Sequence, residues 1–222
     1  MNKRILLVLT SHDQLGDTGR NTGYYVPEAA HPWKALVDTG HTIDITTVEG
    51  GWPPIDTVDK DDPVQKEFLK VCAAQLVDAP AIATVDTSVY DGIFFAGGHG
   101  PMFDLPGNAA SQAAVREIYE RGGVVAAVCH GPAALVDVTL SDGTYLVAGK
   151  NVSAFTNDEE AAVGLTEVVP FPLQDKLTER GAKHSGVPNW EAYTVIDCRL
   201  VTGQNPASAA GTGQAMADVL NG

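Results

Sequence analysis

The residues most able to do chemistry stand together at 129–132, where Cys129-His130-Gly131-Pro132 follows the apolar run 124–128. A buried strand ending at a cysteine, with a tight turn after it, presents the thiol at the carboxyl edge of a sheet, where catalytic groups of open α/β proteins collect. Gly131 lets the backbone pass closely, and Pro132 suits the first turn of a following helix. The start of such a helix favours thiolate over thiol, and thiolate is the nucleophile. Cys72 lies in a helical pattern and Cys198 in a hairpin turn, so neither shares this setting. Three cysteines without C-x-x-C spacing exclude a disulfide framework and a structural zinc site, and they fit a reducing cytoplasm. His12, His31, His41 and His184 have no ligand spacing, so the sequence assigns no metal.

Two further segments offer polar chemistry. Glu28 opens a helical stretch at 27–39, where the helix dipole favours an acid. Gly97-Gly98-His99-Gly100 follows an apolar run but lacks G-x-G-x-x-G and the P-loop lysine. Its alternative is an oxyanion site, in which the N–H of Gly98 joins that of His130. His99 either touches substrate or shapes the loop.

These groups need a scaffold, and the pattern supplies one. Continuous apolar runs at 4–10, 92–96 and 124–128 read as strands buried on both faces. Residues 42–48 alternate as a further strand, and 150–155 and a hairpin over 194–202 complete the set. Helical periods occur at 27–39, 64–76, 109–121 and 206–220. Strands alternating with helices predict an α/β three-layer sandwich with a mostly parallel, flavodoxin-like sheet in one 222-residue domain. Residues 50–63, rich in Gly, Pro and Asp, read as a surface insertion, either a lid or a plain acidic loop. The apolar run after Lys3 and Arg4 is too short for a signal segment or a membrane span. With 28 acidic against 14 basic residues the formal charge is −14. That field disfavours nucleic acid and anionic membrane.

The segment 127–132 resembles the nucleophile elbow of the ThiJ/PfpI superfamily, and more narrowly its glutathione-independent glyoxalase (glyoxalase III) and stress-chaperone-like branch. Residues 6–11, 23–32, 96–104 and 202–208 agree in order. The resemblance implies a cytoplasmic enzyme without cofactor that converts methylglyoxal or a related 2-oxoaldehyde to lactate or its analogue. It implies Cys129 as nucleophile, Glu28 sharing a proton with it, and His130 beside the thiol. An acid from Asp158-Glu159-Glu160 would orient His130; counting from the cysteine favours Glu160, and Thr156-x-x-Glu159 also fits a capping box. A homodimer is expected from the same resemblance. An amide hydrolase (peptidase or deglycase) and a holdase with a redox-sensitive cysteine remain the alternative readings.

Overall fold

The computed structural model describes residues 2–222. In chain order the strands are β1 (Arg4–Leu9), β2 (Tyr24–Tyr25), β3 (Thr42–Thr47), β4 (Ile55–Thr57), β5 (Gly92–Phe95), β6 (Val124–Val128), β7 (Asn151–Val152), β8 (Lys183–His184), β9 (Thr194–Asp197) and β10 (Leu200–Gly203). The helices are α1 (Val26–Asp38), α2 (Pro63–Val71), α3 (Ala73–Val77), α4 (Pro101–Asp104), α5 (Ala109–Glu120), α6 (Asn157–Ala162), α7 (Leu173–Glu179) and α8 (Ala209–Asn221).

Six strands form the central sheet in the order β3-β1-β5-β6-β10-β9. All neighbours are parallel except the edge pair β10–β9. The five parallel strands follow the flavodoxin-like order, which places the carboxyl ends of β1, β5 and β6 side by side. Period-two alternation divides the apolar side chains between two cores. Leu6, Val8, Ile93, Phe95, Val125 and Ala127 face the layer containing α5 and α7. Ile5, Leu7, Phe94, Val124, Ala126 and Val128 face the layer of α1, α2 and α8. Pro32 leaves α1 unbroken, and Gly213 of α8 lies against it so closely that a Cβ would come within 2.5 Å of the Pro32 Cα.

Two sequence expectations need revision. The helix expected over 64–76 breaks at Cys72 into α2 and α3, with Asp62 capping the first by accepting from the N–H groups of Val64 and Gln65. The strand expected over 150–155 shortens to β7, which pairs with β8. Segment 50–63 contains β4, which pairs in parallel with β2 directly before α1 and so reaches the functional end of the sheet. Among the described residues, no helix is long and apolar enough to cross a membrane.

The turn after β6 tolerates no side chain at Gly131, where a Cβ would stand 2.3 Å from the Phe95 carbonyl oxygen of the adjoining strand. Because the obstacle is backbone in the middle of a sheet, Gly131→Ala is expected to cost at least about 2 kcal/mol of stability. An unchanged urea midpoint for that variant would contradict this packing.

Candidate active site

Strand β6 ends at Val128, and Cys129 turns the chain with φ 61°, in the left-handed region that non-glycine residues seldom occupy. Such a conformation costs of order 1–3 kcal/mol and persists only where neighbours hold it. Here the Cys129 N–H donates to the Gly203 carbonyl (3.0 Å), and the Cys129 carbonyl accepts from Phe155 N–H (2.9 Å). The turn thereby fixes Sγ between two loops. The helix expected after Cys129 is only a five-residue 3-10 helix, Gly131–Leu135, too short to carry the dipole expected to favour the thiolate.

Electrostatics also run against that expectation. Burial pushes the Cys129 thiol up, and the adjacent Glu28 carboxyl pushes it further. Glu28 is fully buried, and desolvation raises it from an ordinary 4.5 to about 8. Its two oxygens lack a hydrogen-bond partner of standard geometry; within their reach are the Cys129 thiol and the N–H groups of Gly97 and Gly98. Two touching buried acids cannot both ionise, so the pair retains at least one proton at neutral pH. This close approach depends on Gly97, where a Cβ would lie 2.3 Å from Glu28 Oε2 and 2.9 Å from Cys129 Cβ. Gly98 has φ 96°, and its N–H and that of His130 both point toward the Cys129 sulfur.

The other side of the thiol is imidazole. Cys129 Sγ lies 3.4 Å from His130 Nδ1, while His130 Nε2 and Glu160 Oε2 are 2.7 Å apart. Burial, reinforced by His99, lowers His130 to about 4. Burial pulls Glu160 upward, but hydrogen bonds from His130 and His99 outweigh it and hold the carboxyl at about 2. At neutral pH Glu160 is therefore a carboxylate accepting Nε2–H, and the unprotonated Nδ1 of His130 faces the sulfur. His99 Nε2 engages the second Glu160 oxygen at 2.9 Å, so this histidine joins the carboxylate network as well as the cavity wall.

The three acids of α6 separate cleanly. Asp158 is exposed, and Glu160 takes the histidines. Glu159 completes the capping box with Thr156, while its Oε1 accepts from Trp190 N–H (3.0 Å), Gln204 Nε2 (3.1 Å) and Asn205 Nδ2 (2.7 Å). His99, His130 and Glu160 also bring ligand-type atoms within 4.8 Å of one another, a set able to hold a divalent ion. Sequence spacing could not reveal it, because the three residues come from separate segments.

Above the thiol is a cavity of about 200 Å³. Glu28, Gly98, His99, Cys129 and His130 all line it. It is also lined by Tyr25, Asp56, Phe155, Val163, Trp190 and Pro206, which sequence reasoning gave no site role. Asp56 arrives through the β2–β4 pairing, anchored by Thr22 Oγ1 at 2.8 Å. A larger cavity of about 360 Å³ lies around Lys3, Arg121 and Arg199, at the opposite end of the strands and away from these groups.

A family model described as "DJ-1/PfpI family" matches residues 22–217. The chain belongs to this family. A glutathione-independent glyoxalase of Saccharomyces cerevisiae is 34% identical over 98% of both chains. Glyoxalase 3 of Candida albicans is 33% identical over 95% of both. Among solved structures, glyoxalase III from Candida albicans superposes with TM-score 0.90 at 30% identity, covering 98% of this chain and 97% of its own. The Rapid Encystment Protein of 24 kDa from Francisella tularensis gives 0.95 at 40%, covering 98% and 99%.

Glu28 binds its proton more tightly in the folded chain, at about 8, than at its ordinary 4.5. Its stabilisation is full below about pH 4.5 and lost as pH rises through about 8. Urea unfolding between about pH 5 and about pH 8 should show the wild type losing several kcal/mol relative to Glu28→Gln, which keeps the shape without the ionisation. Parallel pH profiles for the two proteins would show that Glu28 is not held protonated.

Proposed function

We propose that this protein is a glutathione-independent glyoxalase converting a small 2-oxoaldehyde such as methylglyoxal to the 2-hydroxy acid, with Cys129 as nucleophile. The observation that carries the reading is a buried thiol flanked by two proton carriers, Glu28 at about 8 and the Nδ1 of His130. The names of the yeast relatives point to the same reaction. A cavity of about 200 Å³ suits a small molecule better than the polypeptide substrate of an amide hydrolase. A reducing cytoplasm and a homodimeric assembly belong to the same reading.

The proton bookkeeping closes without an outside reductant. The thiol gives its proton to His130 Nδ1 only as the sulfur attacks, and Glu160 stabilises the resulting imidazolium. The sulfur, accepting from protonated Glu28, attacks the aldehyde carbon, C1, and a C–S bond forms. The C1 oxygen takes the Glu28 proton, giving a hemithioacetal. Glu28, now a carboxylate, removes the C1 hydrogen while His130 protonates the oxygen on C2, and an enediol results. Glu28 returns its proton to C2, and the C1 hydroxyl proton returns to His130, leaving a thioester. Water, deprotonated by Glu28, attacks that thioester, the C–S bond breaks, and His130 returns its proton to the departing sulfur, restoring the resting thiol. Carbon C1 is oxidised by two electrons and C2 is reduced by two. The N–H groups of Gly98 and His130, which face the sulfur, serve the transient oxyanion on C1 in this reading.

Cys129→Ser is expected to abolish glutathione-free loss of methylglyoxal, followed as lactate by chiral chromatography. Persisting turnover in the folded variant would remove the cysteine from the reaction. Glu28→Gln should lower kcat by about a hundredfold or more, the usual scale for losing a general acid–base, while a covalent adduct on Cys129 accumulates in intact-mass spectra. Near-normal kcat would leave His130 as the sole proton carrier.

A further inference from the structure

Taking the proposed glyoxalase chemistry as its basis, we infer that the cavity selects 2-oxoaldehydes carrying an aromatic group, and that Trp190 is the specificity-determining residue. The cavity is polar at its floor, and its mouth carries the apolar side chains of Trp190 and Val163 beside Asp56. Glu28 and Cys129 are at most 4% exposed, whereas Trp190 and Val163 are 48% and 42% exposed. An aldehyde carbon bonded to Sγ therefore directs the substituent on its keto carbon outward, along the rings. Those rings form a continuous series: His130 and Phe155 have centroids 4.4 Å apart, and Phe155 and Trp190 5.8 Å apart at a tilt of 53°. Such offset, tilted contacts are the ones aromatic partners prefer, so a further ring can extend the series. Among the lining residues there is no lysine or arginine, and Asp56 stands at the rim, which disfavours an anionic substituent.

Trp190 is placed by more than its own packing. Its φ is 69°, a left-handed conformation that a bulky residue adopts only under constraint. The constraint is Glu159, buried and accepting Trp190 N–H at 3.0 Å while it also holds Gln204 and Asn205. An exposed indole on a backbone held this way forms a wall before any ligand arrives. Size agrees. A cavity of about 200 Å³ exceeds the needs of methylglyoxal, with five non-hydrogen atoms, and is better filled by phenylglyoxal, with ten. The steps at C1 and C2 are unchanged, and the product becomes mandelate.

The test compares phenylglyoxal with methylglyoxal in wild type, Trp190→Ala and Trp190→Phe. Mandelate and lactate are measured by chiral chromatography, with Cys129→Ser as the blank for arginine modification. Wild type should favour phenylglyoxal by about tenfold or more in kcat/KM, chiefly through KM, the scale at which apolar pockets discriminate. Trp190→Ala, checked by thermal melt, should bring that ratio near unity, and Trp190→Phe should retain most of it. Turnover of methylglyoxal with no preference for phenylglyoxal overturns this inference while leaving the glyoxalase reading intact. A preference that survives Trp190→Ala overturns the role of the indole. If that variant does not fold, the wild-type ratio and Trp190→Phe decide the matter. Turnover of neither aldehyde removes the glyoxalase reading itself and this one with it.

Discussion

A carboxyl group and a thiol touch at the buried floor of a cavity, and much of the surrounding structure serves that contact. Glu28 is held by the first helix and Cys129 by the turn after β6, so two distant parts of the chain must meet within van der Waals distance. Because burial disfavours both anions, the pair keeps a proton that either group alone would give up more readily. The left-handed turn at Cys129, the missing side chain at Gly97 and the close backbone passage at Gly131 all follow from bringing them together. Reactivity then depends on where that proton sits when a ligand arrives, and His130 offers it a second position.

The short helix α6 supports this pair through two adjacent carboxylates with separate duties. Glu160 faces the histidines and keeps His130 in one tautomer, with Nε2–H engaged and Nδ1 free. Glu159 points the other way and ties the 190 loop to the segment after β10. The capping box, common at helix starts, here fixes the rotation of α6 and so determines which acid reaches which partner.

Much of this was legible in the sequence because it is local. Three of the five parallel strands announce themselves as apolar runs, β3 as an alternating one, and the elbow as a cysteine between such a run and Gly-Pro. Glu28, Gly98 and His130 were found through their family resemblance, and the structure brings them around one sulfur. What stayed hidden depends on tertiary contact. Asp56 reaches the cavity through a two-residue pairing between β2 and β4 that no periodicity encodes. Trp190 owes its position to a carboxylate 31 residues away. The direction of the Cys129 shift also escaped sequence reasoning, since a helix start argues for thiolate while burial beside Glu28 argues more strongly for thiol.

Asp56 carries one further consequence, in the traffic of ligands. On the proposed chemistry a neutral molecule enters and a carboxylate leaves. The acid at the rim, set in a chain of formal charge −14, offers no attraction to the first and repels the second. The mouth thus acts as an electrostatic valve, in which the product creates its own reason to depart and accumulated hydroxy acid is a poor competitor for the site. Added salt, by screening that repulsion, weakens the valve without touching the buried pair beneath it.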